Sequence, residues 1–255
     1  MDLKVLGCHG GETPKHRTSS FLIGDVLGLD AGAITGTLSL EEQRRIKAIL
    51  VSHAHMDHVR DLATIADNRC QQGGPPLEIA GTPATLRSLK KHFFNDHLWP
   101  DFSRIQTRSG PTITYTPIRP EKTVKVAGHD VTPILVNHTI ETAGFVVATK
   151  DGAVAYSGDT GPTKRFWEVL NAREDLRALL MEVSFPNDQH ELARVSGHHT
   201  PATLKTELEK LKNHQDLPIL LFHIKPLFHG KVEKQLAKIK HRNLTILQLE
   251  DQFLL

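Results

Sequence analysis

With 255 residues, the chain is long enough to bury a sizeable core, either as one large domain or as two small ones. A net charge of +2 excludes a surface that holds nucleic acid or membrane by charge alone, and 24% charged with 39% hydrophobic residues is the balance of an ordinary globular protein. Sixteen His against two Trp and two Tyr is the compositional oddity, and it points towards metal.

Segments 3–6, 19–23 and 26–29 read as strands separated by turns, and 40–46 as a short helix leading into a strand at 48–51. Leu62, Ile65 and Ala66 carry helical spacing within 58–68. A strand at 77–80 is followed by a helix that opens at Thr82-Pro83, with Pro well placed at a first helical position, and runs to about 91. Residues 95–120 contain Pro100, Pro111, Pro117 and Pro120 and are the least regular part of the first half. Two strands then flank the turn Ala127-Gly128-His129-Asp130 within 123–136, and 143–149 with 153–156 form a hairpin across Lys150-Asp151-Gly152. Thereafter helices (164–170, 200–211, 231–239) alternate with strands (178–181, 219–222, 244–247). No repeat or interdomain linker interrupts the pattern. Strand-rich halves that each end in helices predict one domain over 1–255, with two sheets packed face to face and helices outside.

The apolar run Ile49-Leu50-Val51-Ser52 ends in His53-Ala54-His55-Met56-Asp57-His58. Four metal-capable side chains in six positions at a strand end are hard to explain without a metal. His53 and His55 point to one side by the period of a strand, while Asp57 and His58 lie past the bend and can reach a second ion. Two adjacent cations need further ligands, and other strand ends offer them: His138, Asp159 in Ser157-Gly158-Asp159-Thr160-Gly161, and His223. With Asp159 bridging, one ion takes His53, His55, His138 and Asp159, and the other takes Asp57, His58, Asp159 and His223. Imidazole and carboxylate donors suit two divalent ions, zinc first and manganese second.

These segments together resemble the metallo-β-lactamase superfamily, through Leu29-Asp30-Ala31-Gly32, the H-x-H-x-D-H motif, and then His138, Asp159 and His223 in order. The resemblance implies an α/β (α+β) fold, a four-layer αββα sandwich of two mixed sheets with the site at one edge, and a role for Asp30 in orienting ligands rather than binding metal. Finer features are similar to the class II cyclic-nucleotide phosphodiesterases. They are Leu6-Gly7-Cys8-x-Gly10-Gly11, Phe94-Asn95-x-x-x-Trp99-Pro100-Asp101-Phe102, Glu182-Val183-Ser184-Phe185-Pro186-Asn187, Gly197-His198-x-Thr200-Pro201 and His223-Ile224-Lys225-Pro226. Met56, Arg60, Asp61 and His199 depart from the usual pattern.

The resemblance implies hydrolysis of 3′,5′-cyclic AMP or GMP to the 5′-monophosphate by a metal-bridging hydroxide. His198 is the candidate acid for the leaving 3′ oxygen, and Glu182 the group that orients it; with Asp57 they make up the catalytic set. Lys225 and Asn95 join His198 as substrate-binding candidates, and Trp99 or Phe102 offers a flat ring to a purine. The plain alternatives are a surface imidazole, a solvated carboxylate, a solvated Lys and lid or core packing. A tRNA 3′-processing endonuclease shares the ligand set, and a thioesterase or lactonase shares the fold. A cyclic-nucleotide sensor without turnover is the non-enzymatic reading. The expected partner is a small cyclic nucleotide rather than nucleic acid or membrane, with 95–120 a candidate homodimer interface or lid. Cys8 and Cys70 are too few for a disulfide framework. With no apolar secretory segment near the start, a reducing cytoplasm is the expected location.

Overall fold

Alternation of apolar side chains decides which face of each strand meets which layer. In the computed structural model, which describes residues 1–240 and 243–255, the first sheet comprises β1 (Asp2–Gly7), β2 (Ser20–Ile23), β3 (Leu27–Leu29), β4 (Ala48–Val51) and β5 (Leu77–Gly81). A two-stranded ribbon of β6 (Gln106–Thr107) and β7 (Gly110–Pro111) precedes its last parallel strand, β8 (Ile113–Pro117). The second sheet comprises β9 (Val124–Val126), β10 (His129–Val136), β11 (Thr142–Thr149), β12 (Gly152–Tyr156), β13 (Leu176–Glu182), β14 (Ile219–Phe222) and β15 (Leu244–Ile246). The final strand, β16 (Gln252–Leu254), returns to the first sheet and pairs antiparallel with β1. Among the described residues each sheet has seven strands, in the orders β16-β1-β2-β3-β4-β5-β8 and β15-β14-β13-β12-β11-β10-β9. Both are mixed. Each is antiparallel up to β3 or β12 and parallel beyond it.

Strand β4 shows the logic in four residues. Ala48 and Leu50 join the core between the sheets, beside Phe21, Phe145, Tyr156 and Phe222. Ile49 and Val51 face the other way, into a layer with Leu62, Ile65, Leu86 and Leu89. Those residues come from α3 (Asp61–Gln72) and α4 (Pro83–His92), which cover the first sheet, with α1 (Leu40–Arg45) packed against α3. A third cluster covers the second sheet, where Trp167, Leu204 and Val232 of α5 (Arg165–Asn171), α7 (Pro201–Leu208) and α8 (His229–Leu236) pack on Leu179, Met181 and Leu221. The result is four layers, helix–sheet–sheet–helix, as the sequence predicts.

The helix expected over 58–68 is in fact two, α2 (Met56–Val59) and α3, joined at Arg60. The Asp61 amide leaves the helical ladder to donate to the Ala31 carbonyl at 2.9 Å, which breaks the run. The 95–120 stretch is more regular than its prolines suggest, since Pro111 and Pro117 sit at strand ends where no ladder donor is needed. Strand β16 and α6 (His190–Ser196) carry too few periodic residues to be foreseen. No helix among the described residues is long and apolar enough to cross a membrane.

Candidate metal centre

The carboxyl ends of β4, β12, β13 and β14, and the loop after β10, open onto one edge of the sandwich. There the structure brings all seven predicted ligand side chains together in two groups. In one, His53, His55 and His138 present nitrogens that lie within 4.8 Å of one another. His55 Nδ1 is 3.0 Å from His53 Nε2 and 3.2 Å from His138 Nε2. In the other, Asp57, His58, Asp159 and His223 converge in the same way. Asp159 Oδ2 joins the two, at 3.1 Å from His58 Nε2, 3.2 Å from His223 Nε2 and 3.8 Å from His53 Nε2.

Each buried ring is held from behind, so its inward atom is fixed. His58 Nδ1 faces Asp30 Oδ2 at 2.7 Å, His223 Nδ1 faces Ser184 Oγ at 2.9 Å, His53 Nδ1 faces Ser52 Oγ at 3.0 Å and His138 Nδ1 faces the Gly197 carbonyl at 2.9 Å. Nε2 is thereby left to point inward on all four, while His55 presents Nδ1. Asp30, as the resemblance implies, stays behind the cluster. It is fully buried and also accepts from the Ser52 amide and hydroxyl and from Tyr156 Oη.

The electrostatics suit cations. Burial pushes the His53 imidazole well below its usual pKa, so it stays neutral with a free lone pair. Burial would do the same to His58, but the carboxylates of Asp159 and Asp30 outweigh it and hold that ring well above the usual value. Asp159 is buried, yet the rings of His223 and His58 keep its carboxyl well below the carboxylate range. Its second oxygen, Oδ1, is buried without any hydrogen-bond partner. A buried carboxylate oxygen left bare is costly, and a bound cation would satisfy it. The donor set, five imidazoles and two carboxylates with no thiolate, fits a pair of divalent ions of the borderline-hard kind.

His198 lies against both groups, its ring centroid 5.0 Å from those of His138 and of His223. Its Nδ1 is 3.2 Å from Ser184 Oγ and 3.4 Å from Glu182 Oε1. Glu182 is fully buried, and burial raises its carboxyl to about 7. It accepts from Ser184 Oγ and from the His199 amide, both at 2.9 Å. Burial lowers the His198 pKa, as do the nearby charges of Lys225 and His58, whereas Asp159 raises it. Lys225 donates to the Gly10 carbonyl at 2.6 Å.

Residues 27–224 match the beta-lactamase superfamily domain. The chain belongs to this superfamily. A probable 3′,5′-cyclic-nucleotide phosphodiesterase of Yersinia pestis is 26% identical over 287 aligned residues, spanning 89% of this chain and 79% of the relative. A ribonuclease Z of Borreliella afzelii is 31% identical over 167, spanning 59% of this chain and 49% of that protein. Among solved structures, the metallo-beta-lactamase fold protein YhfI of Bacillus subtilis superposes with a TM-score of 0.80 at 18% identity, covering 99% of this chain and 98% of its own. Unliganded yeast PDE1 gives 0.82 at 19%, covering 98% of each.

Within this superfamily member two of the departures from the usual pattern, Arg60 and Asp61, have definite partners. Arg60 pairs with Glu12 and donates through Nε to the Gly32 carbonyl, while Asp61 Oδ2 accepts from the Thr35 amide and hydroxyl. They stitch the His/Asp segment to two neighbouring loops. Asn95 is not brought to the cluster. Its Oδ1 accepts from the amides of His97 and Leu98, and its Nδ2 donates to the Lys91 carbonyl. Phe102 is 3% exposed and packs in the core, so its ring is not offered to a ligand. Of the paired glycines, Gly158 has φ of +59° and a Cβ there would crowd Ser52 and Ala143, but at Gly161 a Cβ would meet only ordinary contacts. Sequence reasoning missed Ser52, Tyr156 and Ser184 as partners of the cluster. Only Ser184, inside Glu182-Val183-Ser184, carried any signal, since side chains two apart in a strand share a face.

Proposed function

We propose that this chain is a metal-dependent phosphodiesterase that opens 3′,5′-cyclic AMP or GMP to the 5′-monophosphate. The observation that carries the reading is the pair of His/Asp groups joined at Asp159, with His198 against both. The similarity to cyclic-nucleotide phosphodiesterases along nearly nine-tenths of the chain supports the same class. His53, His55 and His138 would hold one divalent ion, Asp57, His58 and His223 the other, and Asp159 both; zinc or manganese fits. Such ions, when bound, supply positive charge to a phosphoryl group and bring the pKa of water towards neutrality.

The chain's own residues supply the rest. His198, with Nδ1 against Ser184 and Glu182, keeps Nε2 for the proton that the departing 3′ oxygen must receive as its bond to phosphorus breaks. Lys225 contributes a fixed positive charge on the same side, anchored by Gly10. The test is chromatography of products after incubating metal-loaded protein with 3′,5′-cyclic AMP, beside a chelator-treated control. Clean 5′-AMP that vanishes in the control supports the reading. A second reading, cleavage at tRNA 3′ ends, draws on the ribonuclease Z similarity, which spans less of both chains. It gains if cyclic AMP stays intact while a tRNA precursor is cut.

A further inference from the structure

Beside the segments that carry His53, His55 and His138 lies a cavity of about 220 Å³. Its wall is built from the same segments that carry the histidines: Ala54 lies between His53 and His55, Met56 follows His55, and Ile140 comes two residues after His138. The opposite wall includes Leu98, and Ser88 and His92 of α4 supply polar groups. Met56 is 56% exposed, Leu98 57% and Ile140 40%. Three large apolar side chains thus stand open around one hollow, a gathering that marks a contact site rather than ordinary surface.

The hollow is preformed. Asn95 Oδ1 fixes the Leu98 amide at 2.8 Å, and the amides of Asn95 and Asp96 both donate to the Trp99 carbonyl. Trp99 Nε1 pins the loop to α3 through the Ala63 carbonyl at 3.1 Å. The volume falls below the ~300–1,000 Å³ of a pocket that takes a whole drug-sized ligand, so it suits one flat ring system with the rest of the ligand outside. We propose that this cavity seats the purine of the cyclic nucleotide, gripping its faces through Met56, Leu98 and Ile140, while the phosphate reaches the adjacent His/Asp groups. The assignment rests on the phosphodiesterase reading above. It makes Asn95 a positioning residue for Leu98. Mostly apolar contact predicts that adenine and guanine are both accepted, with Ser88 and His92 alone to tell their edges apart.

The test compares metal-loaded full chains on 3′,5′-cyclic AMP and on the base-free methyl riboside 3′,5′-cyclic phosphate. Leu98→Ala removes a grip, and Ser88→Phe fills the hollow; thermal melting and metal content verify that each variant matches wild type. With cyclic AMP, Leu98→Ala should raise KM roughly 5- to 10-fold, the effect of losing part of a Leu contact, with kcat within about twofold. Ser88→Phe should raise KM further, and both variants should treat the base-free substrate as wild type does. Variants that leave the KM for cyclic AMP unchanged, or that change both substrates alike, overturn the pocket and leave the phosphodiesterase reading standing. A wild type that cleaves neither substrate sinks that reading and the pocket together.

Discussion

Replacing Asp30 by Asn changes one group and almost no volume, and it asks whether a carboxylate sets the tautomer of His58. Asp30 Oδ1 accepts from the Ser52 amide at 2.7 Å; Oδ2 faces Ser52 Oγ at 2.7 Å, Tyr156 Oη at 2.6 Å and His58 Nδ1 at 2.7 Å. A backbone amide can only donate, so Asn must keep its oxygen there and turn its NH₂ towards the other three. His58 Nδ1 then meets a donor and becomes the acceptor. The ring proton moves to Nε2, the atom 3.1 Å from Asp159, and the inward lone pair is lost. Changes of this kind behind a ligating His weaken metal binding about 10- to 100-fold, which is ~1.4–2.8 kcal/mol at ~1.4 per tenfold. Zinc titration against a competing chelator, with metal counted by mass spectrometry, should show the ion at the His58 group weakened more than the one at the His53 group, which Asp30 reaches only through Ser52 Oγ. Two ions retained at wild-type affinity would refute the tautomer argument, as would equal weakening of both.

His198→Ala should lower turnover of cyclic AMP by roughly 10²- to 10⁴-fold with metal content unchanged; surviving turnover or lost metal removes its role as acid. Gly10→Ala places a Cβ 2.4 Å from the His223 carbonyl and 2.8 Å from its Nδ1, so His223 must shift. Activity and metal at the Asp57/His58/His223 group should both fall, and normal metal content would show that the loop can yield. Burial lowers the pKa of His53, His138, His198 and His223 in the folded chain. The unfolded chain, with these rings near ~6.5, therefore binds more protons below that pH, and the metal-free protein should lose stability as pH falls through about 6.5. His58, whose folded pKa is raised, works the other way: its contribution is full below ~6.5 and lost as pH rises through the folded value. Burial also lowers His9, His55 and His199, while Glu182, raised to about 7, joins His58 on the opposing side. The lowered rings outnumber these two, so the melting temperature drops from pH 7.5 to 5, and a flat profile contradicts the sign.

The seven clustered residues were legible because each follows an apolar run that could only be a buried strand, and side chains at the carboxyl ends of such strands meet at one edge of the sandwich. The layers were legible for the same reason, as Ala48-Ile49-Leu50-Val51 is apolar on both faces. What stayed hidden depends on partners distant in the chain. Tyr156 meets Asp30 across 126 positions, and no local pattern marks a Tyr as a donor to a carboxylate. The break before α3 is caused by Ala31, thirty residues upstream of Asp61. Asn95 stands in a motif and yet serves its own loop, since spacing shows that a residue matters without showing whether it touches a ligand or holds one that does.

The segments that carry the clustered residues are divided between the two sheets, so the proposed metal centre cannot be complete before both sheets have been made. His53, His55, Asp57 and His58 follow a strand of the first sheet, whereas His138, Asp159 and His223 all belong to the second. From residue 58 to residue 223 is 165 residues, some 10–30 s of synthesis at ~5–20 residues per second. Throughout that interval the Asp57/His58/Asp159/His223 group lacks His223, whereas His53, His55, His138 and Asp159 are all made by residue 159. Each proposed group draws on both sheets, so neither is assembled until the second sheet docks on the first.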